Sequence, residues 1–230
     1  MAKCNVMSFY RTRNGVRNDY FIDGVELNRM KAVNDLGVLF DRSVSFKDHC
    51  LKVISSGMRM LGFVKRRAHE FSDPYVTKTL FCTFVRPIME YCSVVWNPHE
   101  QIWIQRMESI QKQFLLFALR HLGWNPNSYV LPPYVERLRL IDMETLEKRQ
   151  HSADSVFVFD LVRRNLDCEK LCVDVNVNPN PRNLRHVRYL VKDFYKTDYA
   201  RNGPLPRSIR SFNDNFRHFD GAICRETYKS

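Results

Sequence analysis

The side chains best suited to chemistry in this sequence are its cations. Lys65-Arg66-Arg67 form one cluster and Arg182, Arg185 and Arg188 another, with Phe63, Tyr189, Phe194 and Tyr195 interleaved. Cations set among aromatic rings can neutralise phosphates and stack on bases, although a solvated basic face looks the same in a sequence. Catalytic constellations are harder to find. The chain has no adjacent Asp-Asp pair, no G-x-x-x-x-G-K-[ST], no G-x-S-x-G, no H-E-x-x-H and no Cys-Cys-His-Cys knuckle. His49, His69, His99, His121, His151, His186 and His218 are too far apart in sequence to form a local cluster. Cys168 and Cys172 lie close together, but no histidine at zinc spacing accompanies them, so neither a metal nor another cofactor is assigned.

The charge balance points the same way as the clusters. With 230 residues, a net charge of +11 and a pI near 9.4, the surface field favours polyanions such as nucleic acid or an acidic membrane. A hydrophobic content of 44% is that of a globular protein. No apolar run approaches the roughly 20 residues of a membrane span, and the start MAKCNVMSFYRTR lacks a signal-peptide core. The expectation is therefore an intracellular protein, cytoplasmic or nuclear, without membrane insertion. Seven scattered cysteines fit reduced thiols in such a compartment.

The elements that must position these residues are read from periodicity. CNVMSFYR, DYFIDGVEL and DLGVLFD alternate apolar with polar residues and are separated by turns at Asn14-Gly15, Asp23-Gly24 and Asn34-Asp35, which predicts a small antiparallel ribbon over residues 1–45. From Phe46 the period becomes helical for about 20 residues. Phe46, Cys50, Val53, Ile54, Gly57, Met60, Leu61 and Val64 share one face, with Lys47, Lys52, Arg59, Arg66 and Arg67 off it. Ser72-Asp73-Pro74 is a helix start, an N-cap oxygen followed by proline in the first turn. The run continues into VRPIMEYCSVVWNP, where Pro87 is expected to push Arg86 out of α geometry and to kink or break the helix. There Val85, Ile88, Met89, Cys92 and Val95 make an apolar stripe, and Arg86, Glu90, Ser93 and Asn97 a polar one. Arg86 and Glu90 sit one turn apart, a pair worth only about 0.3 kcal/mol if exposed.

Further on, Ile104, Met107, Ile110, Gln111, Phe114, Leu115 and Ala118 predict a helix that Gly123 stops. Two more are expected over residues 134–140 and from Met143 to about Asn165, the second with Leu146, Val156, Phe159 and Leu161 among its apolar positions. NVNPNPRN reads as a loop, and RNGPLPRSIRSFND as a helix only after Pro206. The fold class is mainly α with a small N-terminal β part. Residues 1–45 make the ribbon, 46–166 a helical domain and 167–230 a basic, loop-rich extension.

In order, these segments resemble the C-terminal part of the reverse transcriptase of non-LTR, LINE-type retrotransposons, most closely the Jockey-like elements. KCNVMSFYR resembles the lysine-bearing strand at the end of the palm, DLGVLFDRSVSFKDH the hairpin that grips the primer, and VRPIMEYCSVVWNP the V-R-P-x-x-E-Y…W signature of the thumb. RMESIQKQFLLFALR, PYVERLRLIDMETLEKRQ and GPLPRSIRSFN resemble later blocks of the same family.

The resemblance implies a thumb-like helical bundle whose first helix follows an RNA–DNA or DNA duplex through its phosphates, with Lys52, Arg59, Lys65, Arg66 and Arg67 in contact. Leu36, Gly37 and Val38 would lie at the primer end, and Lys3 would be a vestigial palm lysine. Arg86, Glu90 and Trp96 are expected to pack rather than catalyse. Polymerases of this class hold two metal ions on paired aspartates, which this chain lacks; Asp35 and Asp41 are read as turn residues. The resemblance begins at Lys3, so the expectation is a catalytically incomplete fragment or decayed copy. Two other readings are a helical interaction scaffold with no nucleic-acid role, and a subunit that completes a polymerase with a separate palm.

Overall fold

The computed structural model describes residues 4–11, 18–68, 70–71, 73–121, 131–176, 190–191 and 193–215. Lys3, the Asn14-Gly15 turn, Ser72, the Gly123 stop, most of the NVNPNPRN run, and Arg182, Arg185, Arg188 and Tyr189 lie outside them. The described chain is mainly helical with a small β part, as the periodicities predict. No helix is long and apolar enough to cross a membrane among the described residues.

The β part is three two-stranded pieces rather than one ribbon. β1 (Asn5–Val6) pairs in parallel with β4 (Asn28–Arg29), while β2 (Phe21–Ile22) and β3 (Val25–Glu26) form an antiparallel hairpin about Asp23-Gly24. β5 (Ala32–Asp35) and β6 (Val38–Asp41) form the second hairpin. Its turn is Leu36-Gly37, at φ 43° and 88°, and not Asn34-Asp35, which are paired within β5. Two successive left-handed residues match the twist of the flanking strands, and that geometry outranks residue preference here.

Asp41 converts this hairpin into a helix. Its carboxylate accepts hydrogen bonds from the Ser43, Ser45 and Phe46 amides at 2.8–2.9 Å and from both serine hydroxyls. Burial alone would raise this carboxyl, but the donors from Ser43, Ser45 and Phe46 outweigh it and hold it below the usual range. The reading of Asp41 as a turn residue stands, and the D-x-S-x-S spacing supplies the mechanism. α1 (Lys47–Ala68) comes next, and its buried face carries Cys50, Val53, Gly57, Leu61 and Val64, the predicted stripe, together with His49 and Ala68.

α2 (Pro74–Leu80) starts under an Asp73 cap, whose carboxylate accepts from the Tyr75 amide at 2.8 Å. The helix is not broken at Pro87. Arg86 keeps α geometry, at φ −60° and ψ −43°, because one π-helical turn (Phe81–Val85) precedes it and its N–H reaches back to the Phe81 carbonyl. The wide turn relieves the carbonyls that the proline ring would strike and absorbs its missing donor. α3 (Arg86–Glu90) then ends at Tyr91, and the break falls at Cys92, which is left-handed at φ 51°. This break resets the helical phase. Cys92, expected on the apolar stripe, is exposed, while Ser93 and Asn97 from the polar stripe are buried on and after α4 (Ser93–Trp96).

α5 (Gln101–His121) runs through the middle of the main core. Gly57 of α1 admits it closely, since a Cβ there would lie 3.1 Å from Ile110 and 3.6 Å from Met89. Phe81 and Phe114 stack at 4.1 Å between ring centroids. α6 (Tyr134–Leu140) has the predicted bounds. α7 (Leu146–Val162) is shorter than expected, capped by Thr145 at one end and closed beyond the other by left-handed Arg164. Its Val156 is exposed at 54%, and Val158 takes the core position instead. After α8 (Glu169–Val173) and α9 (Asp198–Arg201), α10 (Pro204–Asn215) begins three residues earlier than the sequence suggested. Both of its prolines fall in the first turn, where an absent N–H is not missed. α10 packs on α7 over a second core of Val158, Leu161, Val175, Leu190, Ile209 and Phe212.

Candidate nucleic-acid interface

The outer face of α1 carries most of the cations that the resemblance assigns to a duplex. Lys52, Arg59 and Arg66 recur every seven residues and so fall on one stripe, about 10.5 Å apart along the axis and about 21 Å in all. All three are exposed, with Ser55 and Phe63 between them. Asp48 in the first turn is the only acid on the helix. Among the described residues no carboxylate pairs with Lys52, Arg59, Lys65, Arg66 or Arg67, and Arg59 bonds only to Ser56 Oγ at 3.1 Å.

Lys65, Arg66 and Arg67 occupy the last turn of α1, where cations also offset the negative helix end. Lys65 is half-buried against α5, and burial, followed by the nearby Arg120, lowers its pKa. Arg120 of α5 thus stands near this cluster, a cation that the sequence pattern did not mark. Arg67 turns toward the Phe63 ring, 5.9 Å from its centroid.

The β5–β6 hairpin stands beside the start of this stripe and is fastened there by three groups. Lys52 Nζ donates to Asn34 Oδ1 at 3.1 Å and to the Gly37 carbonyl at 3.4 Å. Tyr91 donates its hydroxyl to the Leu36 carbonyl at 2.9 Å, and its ring lies 3.3 Å from where a Gly37 Cβ would stand. Leu39 N–H donates to His49 Nδ1 at 3.2 Å. Leu36 is 83% exposed at the tip, whereas Val38 is 3% exposed. Val38 therefore packs in the core and presents nothing to a ligand.

The VRPIMEYCSVVW segment is the base of this assembly. Val85, Met89 and Trp96 are fully buried, Trp96 Nε1 donates to the Tyr91 carbonyl at 2.8 Å, and His49 meets Trp96 edge to face at 4.9 Å. Arg86 and Glu90 do pair, at 4.0 Å, but the short contacts of Glu90 are to Arg149 of α7 at 2.5 and 3.0 Å. The hydrogen bond to Glu90, with that carboxylate's charge, raises the Arg149 pKa further. The segment thus joins α1, the hairpin and α7 through packing.

No protein-family model, curated protein or solved structure matches the chain.

Proposed function

We propose that the chain is a duplex-binding, catalytically incomplete relative of the thumb of LINE-type reverse transcriptases, holding an RNA–DNA or DNA duplex by its phosphates along α1. The observation that carries this reading is the exposed stripe of Lys52, Arg59 and Arg66, which no carboxylate among the described residues neutralises. Its length of about 21 Å is more than half of a duplex turn of roughly 34–36 Å. Side chains so placed contact the backbone and not base edges, so binding is independent of sequence.

The test is anisotropy of a labelled duplex against salt. Each neutralised phosphate contributes about −0.9 to the slope of log K on log salt for duplex DNA. Changing Lys52, Arg59 and Arg66 together to Ala is expected to reduce the slope by roughly two to three units, as is the Lys65, Arg66, Arg67 triple change. An unchanged slope in both variants sends the duplex elsewhere, and no binding at low salt favours an interaction scaffold. On a primed template with magnesium or manganese, no nucleotide incorporation is expected, because the paired aspartates that hold two metals are missing from the sequence. Incorporation above a mock preparation overturns that.

A further inference from the structure

A cavity of about 390 Å³ lies at the other end of α1 from the Lys65 cluster, where the β5–β6 hairpin, the loop before α5 and the α9–α10 junction meet. Its size falls within the roughly 300–1,000 Å³ of small-molecule clefts. Three of the longer helices start at its wall. Lys47 opens α1, Glu100 immediately precedes α5, and Gly203 immediately precedes α10. Each helix start brings about half a positive charge.

Two side chains turn this from a set of helix ends into a site. Asn97 lines the cavity and is 7% exposed, yet no group among the described residues hydrogen-bonds its carboxamide. The carboxamide keeps its solvent contact at the cavity, where a ligand can take the place of water. Arg11 also lines the cavity; its Nε donates to the Ser43 carbonyl at 2.9 Å and its guanidinium lies over the Tyr199 ring. Both contacts orient the fork and leave its terminal nitrogens without a hydrogen-bond partner among the described residues. The other charges are already matched: Lys47 pairs with Glu100 at 3.4 Å, and Arg207 is saturated by Asp154 and backbone carbonyls. The surplus is positive.

We propose that this cavity binds a phosphate monoester with a flat organic body, the class that includes mononucleotides. The phosphate takes the Arg11 fork and the Asn97 amide, since a tetrahedral anion accepts from several directions at once. The body lies along the apolar wall of Phe40, Val44 and Val95. The site shares no residue with the α1 stripe and does not depend on duplex binding.

Calorimetric titration of the whole chain with adenosine monophosphate, inorganic phosphate and adenosine tests it. The monophosphate is expected to bind more tightly than phosphate, and adenosine most weakly. Arg11→Gln is expected to weaken the monophosphate at least tenfold and Arg11→Lys several-fold, with the unliganded unfolding midpoint unchanged. Asn97→Ala is expected to weaken it several-fold, while the Arg59, Arg66 double variant binds it as the parent does. Absence of binding at millimolar monophosphate, adenosine binding as tightly as its phosphate, or an unchanged affinity in Arg11→Gln each overturns the proposal.

Discussion

Arg207 is the residue on which most of the C-terminal packing turns. Its guanidinium donates to Asp154 at 2.9 and 3.3 Å, to the Asn97 carbonyl at 3.1 Å and to the Val94 carbonyl at 2.5 Å, with both charged side chains almost wholly buried. Removing one partner leaves a buried charge uncompensated, so Arg207→Ala is expected to cost about 3–5 kcal/mol in urea unfolding. A loss below about 1 kcal/mol would mean that water reaches Asp154. His49 gives the residue scale a pH dependence. Burial, with Lys52 nearby, lowers its pKa from 6.5 to about 4. Between those values the unfolded chain carries the extra proton, so stability present at pH 7 is lost as pH falls from about 6.5 toward 4. His49→Gln, which keeps an acceptor for Leu39 but does not titrate, is expected to flatten that part of a plot of denaturation midpoint against pH. None of these roles was legible in the sequence. Arg207 and Asp154 are 53 residues apart, Arg149 and Glu90 are 59, and Tyr91 and Leu36 are 55, and no local pattern marks such pairs. Asp41 is the contrast, because its donors lie two to five residues away.

At the scale of elements, what depends on local period was readable and what depends on phase across a break was not. The faces of α1 and α5 and the bounds of α6 come from apolar spacing, while the reset at Cys92 moved Ser93 into the core and Cys92 out of it. Pro87 signalled trouble at the right place but not its remedy, because a π turn has no side-chain signature of its own. Gly57 tests the packing of three of these elements together. Replacing it with Ala sets about 1 kcal/mol of helix propensity against a 3.1 Å approach to Ile110, so the change should be small. Gly57→Leu instead forces α1 away from α5 and α3 and is expected to cost about 1–3 kcal/mol, or more if Met89 cannot shift. A neutral Gly57→Leu in thermal unfolding would show that the α1–α5 contact is looser than these distances imply.

For the whole molecule the question is whether residues 46–166, expected as a helical domain, can stand without the C-terminal segment. The packing argues against it. The buried face of α7 spans both cores: Leu146 and Gln150 near its start face the main core, while Val158 and Leu161 near its end belong to the second core, which α10 covers with Ile209 and Phe212. Asp154 is buried between them and owes its ionised partner to α10. α10 also holds residue 190 through Asn213, whose side chain both accepts from the Leu190 amide and donates to its carbonyl at 3.1 Å. Ending the chain at residue 166 would therefore expose a row of apolar side chains and strand one carboxylate at once. The truncated chain is expected to unfold at a lower temperature, with a broader transition and dye-binding apolar surface. A synthetic peptide of residues 204–215 added in trans should restore part of the lost stability, and the same peptide with Arg207→Ala should restore much less. If the truncated chain instead melts at the temperature and with the sharpness of the full one, the helical domain carries its own core and α10 is an accessory to it.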